Sequence, residues 1–171
     1  MSDSRLRVIA AFALVIGAVL GMAGTFAPSP SLRGLAWGLD GTALVVAAAL
    51  LTIHHFRRGN DIVAAGFLVF VAGEALILSG AAMELGASAP SFAGGIALWA
   101  ASLALVSAPS TMPPVVRGVG FVGSLLFTIV AVQIFWGRAL TPVSEPLPFF
   151  AYPFLAATLF GWAWVHYRHA A

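Results

Sequence analysis

The chain has 171 residues, of which 61% are hydrophobic and 8% charged, with eight basic residues against six acidic ones. A water-facing surface cannot be built from that ratio, so a soluble globular domain is excluded, and a net charge of +2 gives no footing for nucleic-acid binding. All eight basic residues are arginine, which removes Schiff-base lysine chemistry, and the lack of cysteine removes disulfides, thiolate metal sites and covalently attached haem.

A hydrocarbon layer about 30 Å thick needs roughly 20 apolar residues at about 1.5 Å of rise each. That length recurs six times, over 8–26, 34–53, 62–80, 92–108, 119–137 and 147–165. The expected fold is all-α: one domain, residues 1–171, forming a polytopic bundle of six transmembrane helices.

The first apolar run follows Arg5 and Arg7. A cleaved secretory signal is the competing reading, and it would leave five spans. The run is longer than a signal core, and its Ala13, Gly17 and Gly21, four apart, suit close packing on another helix. The second run carries Asp40, Ala47 and His54 at intervals of seven and ends in "HHFRRGND", His54 to Asp61. The third contains "GFLVFVAGEALILSG", with Glu74 inside an otherwise apolar stretch and glycines at 59, 66, 73 and 80. An alanine stripe, Ala93, Ala97, Ala101, Ala104 and Ala108, gives the fourth run a second narrow face. The fifth opens on "GVGFVG" from Gly118, formally a dinucleotide fingerprint, but one lacking the strand and the wet turn that motif requires. It also carries Gln133. The sixth includes Pro148 and Pro153 and ends in "HYRH", His166 to His169.

Arginine placement orients the bundle. Arg5, Arg7, Arg57, Arg58, Arg117 and Arg168 fall on one side and Arg33 and Arg138 on the other, so both termini are expected in the cytoplasm. Small size and arginine-only basic content suggest a bacterial cytoplasmic (inner) membrane. A register that lays Pro30-Ser-Leu-Arg-Gly34 on Pro114-Val-Val-Arg-Gly118 also lays spans one to three on four to six. An inherited repeat of that kind has an odd number of spans per half and is therefore inverted, as in many secondary transporters.

Two groups of residues carry chemistry. Asp40 and Glu74, on consecutive helices, both fall roughly 10 Å below the outer surface at 1.5 Å per residue, and Gln133 reaches a similar depth. A carboxylate facing lipid costs about 2.5–3.5 kcal/mol on insertion scales, so both acids are expected to face inward. There they would hold a proton or cation, or be neutralised by Arg33 or Arg138 reaching in from the rim. At the inner rim His54, His55, His166 and His169 gather with Arg57 and Arg58. The arginines read first as topology determinants meeting lipid headgroups. The histidines admit a cofactor reading: a b-type haem between the second and sixth helices, or a divalent metal on His54, His166 and His169. Ala43, Leu44, Ala47 and Leu51, between Asp40 and His54, offer no proton carrier.

Three functions follow in order. The first is a transporter or channel for a small solute or ion, proton-coupled, using Asp40, Glu74 and Gln133. The second is a non-catalytic membrane subunit or assembly factor that binds another membrane protein or a second copy of itself. The third is the haem- or metal-binding membrane protein. No residue set proposes a catalytic centre, since Ser79, Ser107 and Ser124 read as packing or backbone-bonding hydroxyls.

Overall fold

The computed structural model describes residues 3–80, 83, 85–137 and 146–169, with the side chains of 85 and 146–149 left aside. They form six helices, α1 Asp3–Thr25, α2 Pro30–Arg57, α3 Asp61–Gly80, α4 Leu85–Ser107, α5 Pro114–Phe135 and α6 Pro146–Arg168. Five of these, α1 to α5, are long and apolar enough to cross a membrane. α6 has comparable length, and Pro153 interrupts its interior.

Local chemistry sets the helix ends. Ser29 caps α2, its Oγ accepting from the Leu32 N–H at 3.3 Å, and Pro30 follows in the first turn, where its missing N–H costs nothing. Pro114 opens α5 in the same way. α2 stops where Gly59 adopts φ +71°, a left-handed conformation that suits glycine, and Asn60 N–H donates back to the His55 carbonyl at 3.0 Å. Gly59 is therefore a turn residue with open space around it and does not continue the glycine stripe of α3. The guanidinium of Arg117 donates to the carbonyls of Ser107 and Ala108, at 2.7 and 2.9 Å, closing the end of α4.

Connections of a few residues force neighbouring helices to run antiparallel. Each helix packs on the next in sequence, and α6 returns to α1, so among the described residues the backbones form a closed ring whose opposite helices meet only through side chains. The start of α1 and the end of α6 meet on one rim, where Arg7 donates to the His169 carbonyl.

Small residues set the approach of neighbouring backbones. On α3, Gly66, Gly73 and Gly80 all face α4, as their sevenfold spacing predicts. At the closest point a Cβ on Gly73 would lie 2.9 Å from the Gly95 carbonyl oxygen, and one on Gly95 would lie 2.8 Å from that of Gly73. Gly95, rather than the alanine stripe, supplies the α4 side of this crossing. Ala101 and Ala108 are exposed and Ala93 is buried, because the surface α4 presents to both α3 and α5 is wider than one stripe. On α5 the glycines of "GVGFVG" lie within a helix, where Gly120 and Gly123 meet Ser107, Leu103 and Phe154. Their role is packing.

Aromatic side chains fill the middle of the ring. Phe67 meets Trp162 edge-on with centroids 4.9 Å apart, Trp162 meets Phe70 at 6.1 Å, Phe70 stacks on Trp99 at 5.9 Å and Trp99 meets Tyr152 at 6.1 Å. Leu44, Ala47 and Leu51 of α2 pack into the same core.

Candidate functional site

The buried acids and histidines of the described residues lie at the two ends of that aromatic column. At the end away from the termini, Glu74 is 2% exposed, and its Oε1 has no hydrogen-bond partner among the described residues. The expected inward orientation therefore holds for Glu74. The Trp99 indole lies against its carboxyl, and Asp40 and Tyr152 lie within electrostatic reach.

Asp40 is half-buried and turned toward α1. Its carboxyl rests on the small face made by Gly17 and Gly21, so close that a Cβ on Gly21 would come within 2.8 Å of Oδ2. The Ala13, Gly17, Gly21 spacing thus does more than bring helices together: it makes a seat for a carboxyl. Trp37 closes the outer side by donating from Nε1 to the Gly21 carbonyl at 3.3 Å. A narrow cleft of about 20 Å³, enough for roughly one water, runs beside Asp40 between Gly21, Trp99 and Tyr152.

Neither acid has an ion pair among the described residues; the three ion pairs found there all involve Asp3. Arg33 stands over the Trp37 ring at 5.8 Å instead of reaching Asp40. Its guanidinium gains the ring face without giving up the rim. Arg138 lies outside the described residues. Gln133 is half-buried on α5, a helix whose backbone packs on α4 and α6.

The opposite end gathers the histidines. His54, His55 and His166 are each 5% exposed or less. His55 Nε2 lies 3.0 Å from His166 Nε2, His54 Nδ1 lies 2.7 Å from Asp3 Oδ1, and His166 Nδ1 donates to the Trp162 carbonyl at 2.7 Å. Asp3 also takes Arg58 at 3.1 Å and Arg7 at 3.6 Å. His169 and Arg57 are exposed and outside this cluster. His55 thus takes the place that spacing alone assigned to His169, because His169 falls in the last turn of α6, beyond the helix packing that buries His166. His55 Nε2 and His166 Nε2 are in direct contact at 3.0 Å, which leaves no room for the porphyrin of a b-type haem between those two rings in this arrangement.

Two contributors to these ends carried no separate signal in the sequence. Asp3 reads as an ordinary first-turn acid, and only the return of α2 beside α1 makes it the partner of His54. Tyr152 reads as a headgroup-level aromatic, whereas Pro153 and the start of α6 bring it beside the acids. Asp40 and His54 stand roughly 21 Å apart along α2 at 1.5 Å per residue, and Leu44, Leu51, Phe67 and Trp162 belong to the hydrophobic core between the two ends. No protein family, curated protein or solved structure matches the chain.

Proposed function

We propose that this chain is a six-span membrane protein that moves protons or a small monovalent cation, with the Asp40 and Glu74 carboxyls as its binding pair. One observation carries the reading: the Asp40 and Glu74 carboxyls lie within electrostatic reach of each other, and among the described residues no basic group pairs with either. Glu74, the buried member of the pair, would if ionised bear an uncompensated desolvation cost of several kcal/mol, by order of magnitude. A proton or cation held between them removes that cost. The cleft beside Asp40 has room for about one water, which suits a proton or a bare ion and argues against a larger solute.

Transport requires the compartment to open in turn to each side. The aromatic column and Leu51 seal the route toward the histidine end, so the arrangement corresponds to a state closed on that side. On this reading the closed side faces the cytoplasm of a bacterial inner membrane, with both termini there and α6 as the sixth span; the arginine excess on that side supports the orientation. Pro153 breaks the hydrogen-bond ladder of α6 next to Tyr152 and gives that helix a natural place to bend. Under the register that lays Pro30 on Pro114, a shift of 84, Asp40 and Glu74 fall on Ser124 and Thr158. A duplicated chain would therefore hold its acids in the first half only.

Purified protein in liposomes loaded with a pH-sensitive dye tests the reading under an imposed potential, with and without sodium. Flux is expected in wild type and is expected to vanish in Glu74→Gln and in Asp40→Asn while both variants remain monodisperse. Undiminished flux in both variants, or none in wild type under any gradient, overturns it.

A further inference from the structure

We propose that His54, His55 and His166 form a binding site for a divalent transition-metal ion of the zinc class, on the rim that carries both chain ends. This is independent of the acid pair, which lies at the other end of the ring.

Each of the three imidazoles offers one ring nitrogen, and these nitrogens all lie within 4.8 Å of one another. Tetrahedral zinc with Zn–N bonds of about 2.0–2.1 Å separates its nitrogen ligands by roughly 3.3 Å. The 3.0 Å contact between His55 Nε2 and His166 Nε2 is therefore only a few tenths of an ångström too short, a difference that small ring rotations supply.

The outer contacts are those a metal site needs. Ligating histidines almost always donate their second ring N–H to a carboxylate, carbonyl or similar acceptor, which fixes the ring and its tautomer. His166 does so through Nδ1 to the Trp162 carbonyl, and His54 Nδ1 faces the Asp3 carboxylate. His55 Nδ1 faces the Asn60 side chain at 3.4 Å, and an amide presents either a donor or an acceptor by turning over. With the His166 proton committed to Trp162, the neutral ring has its lone pair on Nε2. In the metal-free cluster the bridging proton is then carried by His55 Nε2. Metal binding needs that proton to move to His55 Nδ1, where Asn60 Oδ1 accepts it, so no proton need leave His55 or His166.

The donor set selects the metal. Three imidazoles with no thiolate suit zinc, copper, nickel or cobalt and give no advantage to calcium or magnesium, which take oxygen ligands. Three protein ligands leave a fourth position open. Asp3 answers both Arg7 and Arg58, so the rim keeps a positive excess. That excess weakens the hold on a bare cation and favours an anionic fourth ligand such as hydroxide or carboxylate. The cluster lies about one helical turn from exposed Arg57, Arg58 and His169, close to the rim of the bundle.

The test uses the untagged full chain in mild detergent, stripped with chelator and titrated with Co²⁺ or Zn²⁺. Expected are one ion retained per chain after desalting, a tetrahedral Co²⁺ absorption band, and a zinc absorption-edge spectrum with three imidazole nitrogens. His55→Gln and His166→Gln should each weaken binding at least 100-fold, Asp3→Asn should weaken it about 10- to 100-fold, and His169→Gln should leave it unchanged. The proposal is overturned if wild type retains no ion, if its zinc shows fewer than three imidazole ligands, or if the His55 and His166 variants bind as wild type does. The wild-type spectrum decides the matter even where a variant does not fold.

Discussion

A single methyl group added at three different glycines separates the roles of helix propensity and backbone contact. Gly118 has open space around its Cβ position, Gly73 would press its Cβ on the Gly95 carbonyl at 2.9 Å, and Gly21 would press on the Asp40 carboxyl at 2.8 Å. In all three, alanine gains about 0.8–1.0 kcal/mol over glycine as a helix former. Gly118→Ala should therefore stabilise the fold by up to about 1 kcal/mol. Gly73→Ala meets a backbone that cannot rotate away, and overpacking of this kind costs about 1–3 kcal/mol. The two variants share the propensity gain, so their difference isolates the contact: about 1–3 kcal/mol, or roughly 5- to 150-fold in the folding constant. Gly21→Ala meets the end of a side chain, which can turn aside. Its stability should stay near that of Gly118→Ala, while Asp40 leaves its seat and flux falls. Reversible unfolding in mixed micelles, followed by tryptophan fluorescence, measures all three. Equal stabilities for Gly73→Ala and Gly118→Ala would refute the claim that α3 and α4 meet backbone to backbone, and a double variant at Gly73 and Gly95 should be non-additive because both press on one crossing.

Leu51→Ala should lower stability by about 2–5 kcal/mol and raise passive proton flux in liposomes, because Leu51 is part of the seal between the two polar ends. A variant as tight as wild type would place the barrier elsewhere. Arg117→Ala removes two charge-assisted bonds to the end of α4 and should cost about 1–3 kcal/mol in the same micelle assay; a neutral effect would show those carbonyls equally well served by water. The chain has no cysteine, so single substitutions are clean topology reporters. Pro28→Cys, in the exposed link between α1 and α2, should react with an impermeant maleimide added to intact cells, and Thr111→Cys, in the link between α4 and α5, only after lysis. The reverse pattern would turn the bundle over.

The elements were legible in the sequence because hydropathy and length depend on each segment alone. Partners were less so. The sevenfold glycines of α3 announce a narrow face, and that face is real, yet nothing in the spacing says that Gly95 on α4 receives it. The Ala13, Gly17, Gly21 series likewise predicts close approach but not that a carboxyl occupies the space. Asp40 and Glu74 stand out because an acid in an apolar run is conspicuous by itself. Asp3 and Tyr152 do not, since each comes beside the other polar groups only through its placement against another helix.

The histidines show where that boundary lies. Residues 166 and 169 are one turn apart on α6 and look equivalent as ligands in a linear reading. Burial separates them: the ring of helices covers His166 and ends before His169, while the last turn of α2 brings in His54 and His55 together. Adjacent residues on a helix project about 100° apart, so a single helix seldom directs both inward. Here both are buried because the pair sits at a junction, with His54 turned to Asp3 on α1 and His55 to Phe67 on α3 and His166 on α6. A cluster assembled from three helix ends is specified by how the ring closes, through the packing of α6 on α1, and that closure is a long-range property no local spacing encodes.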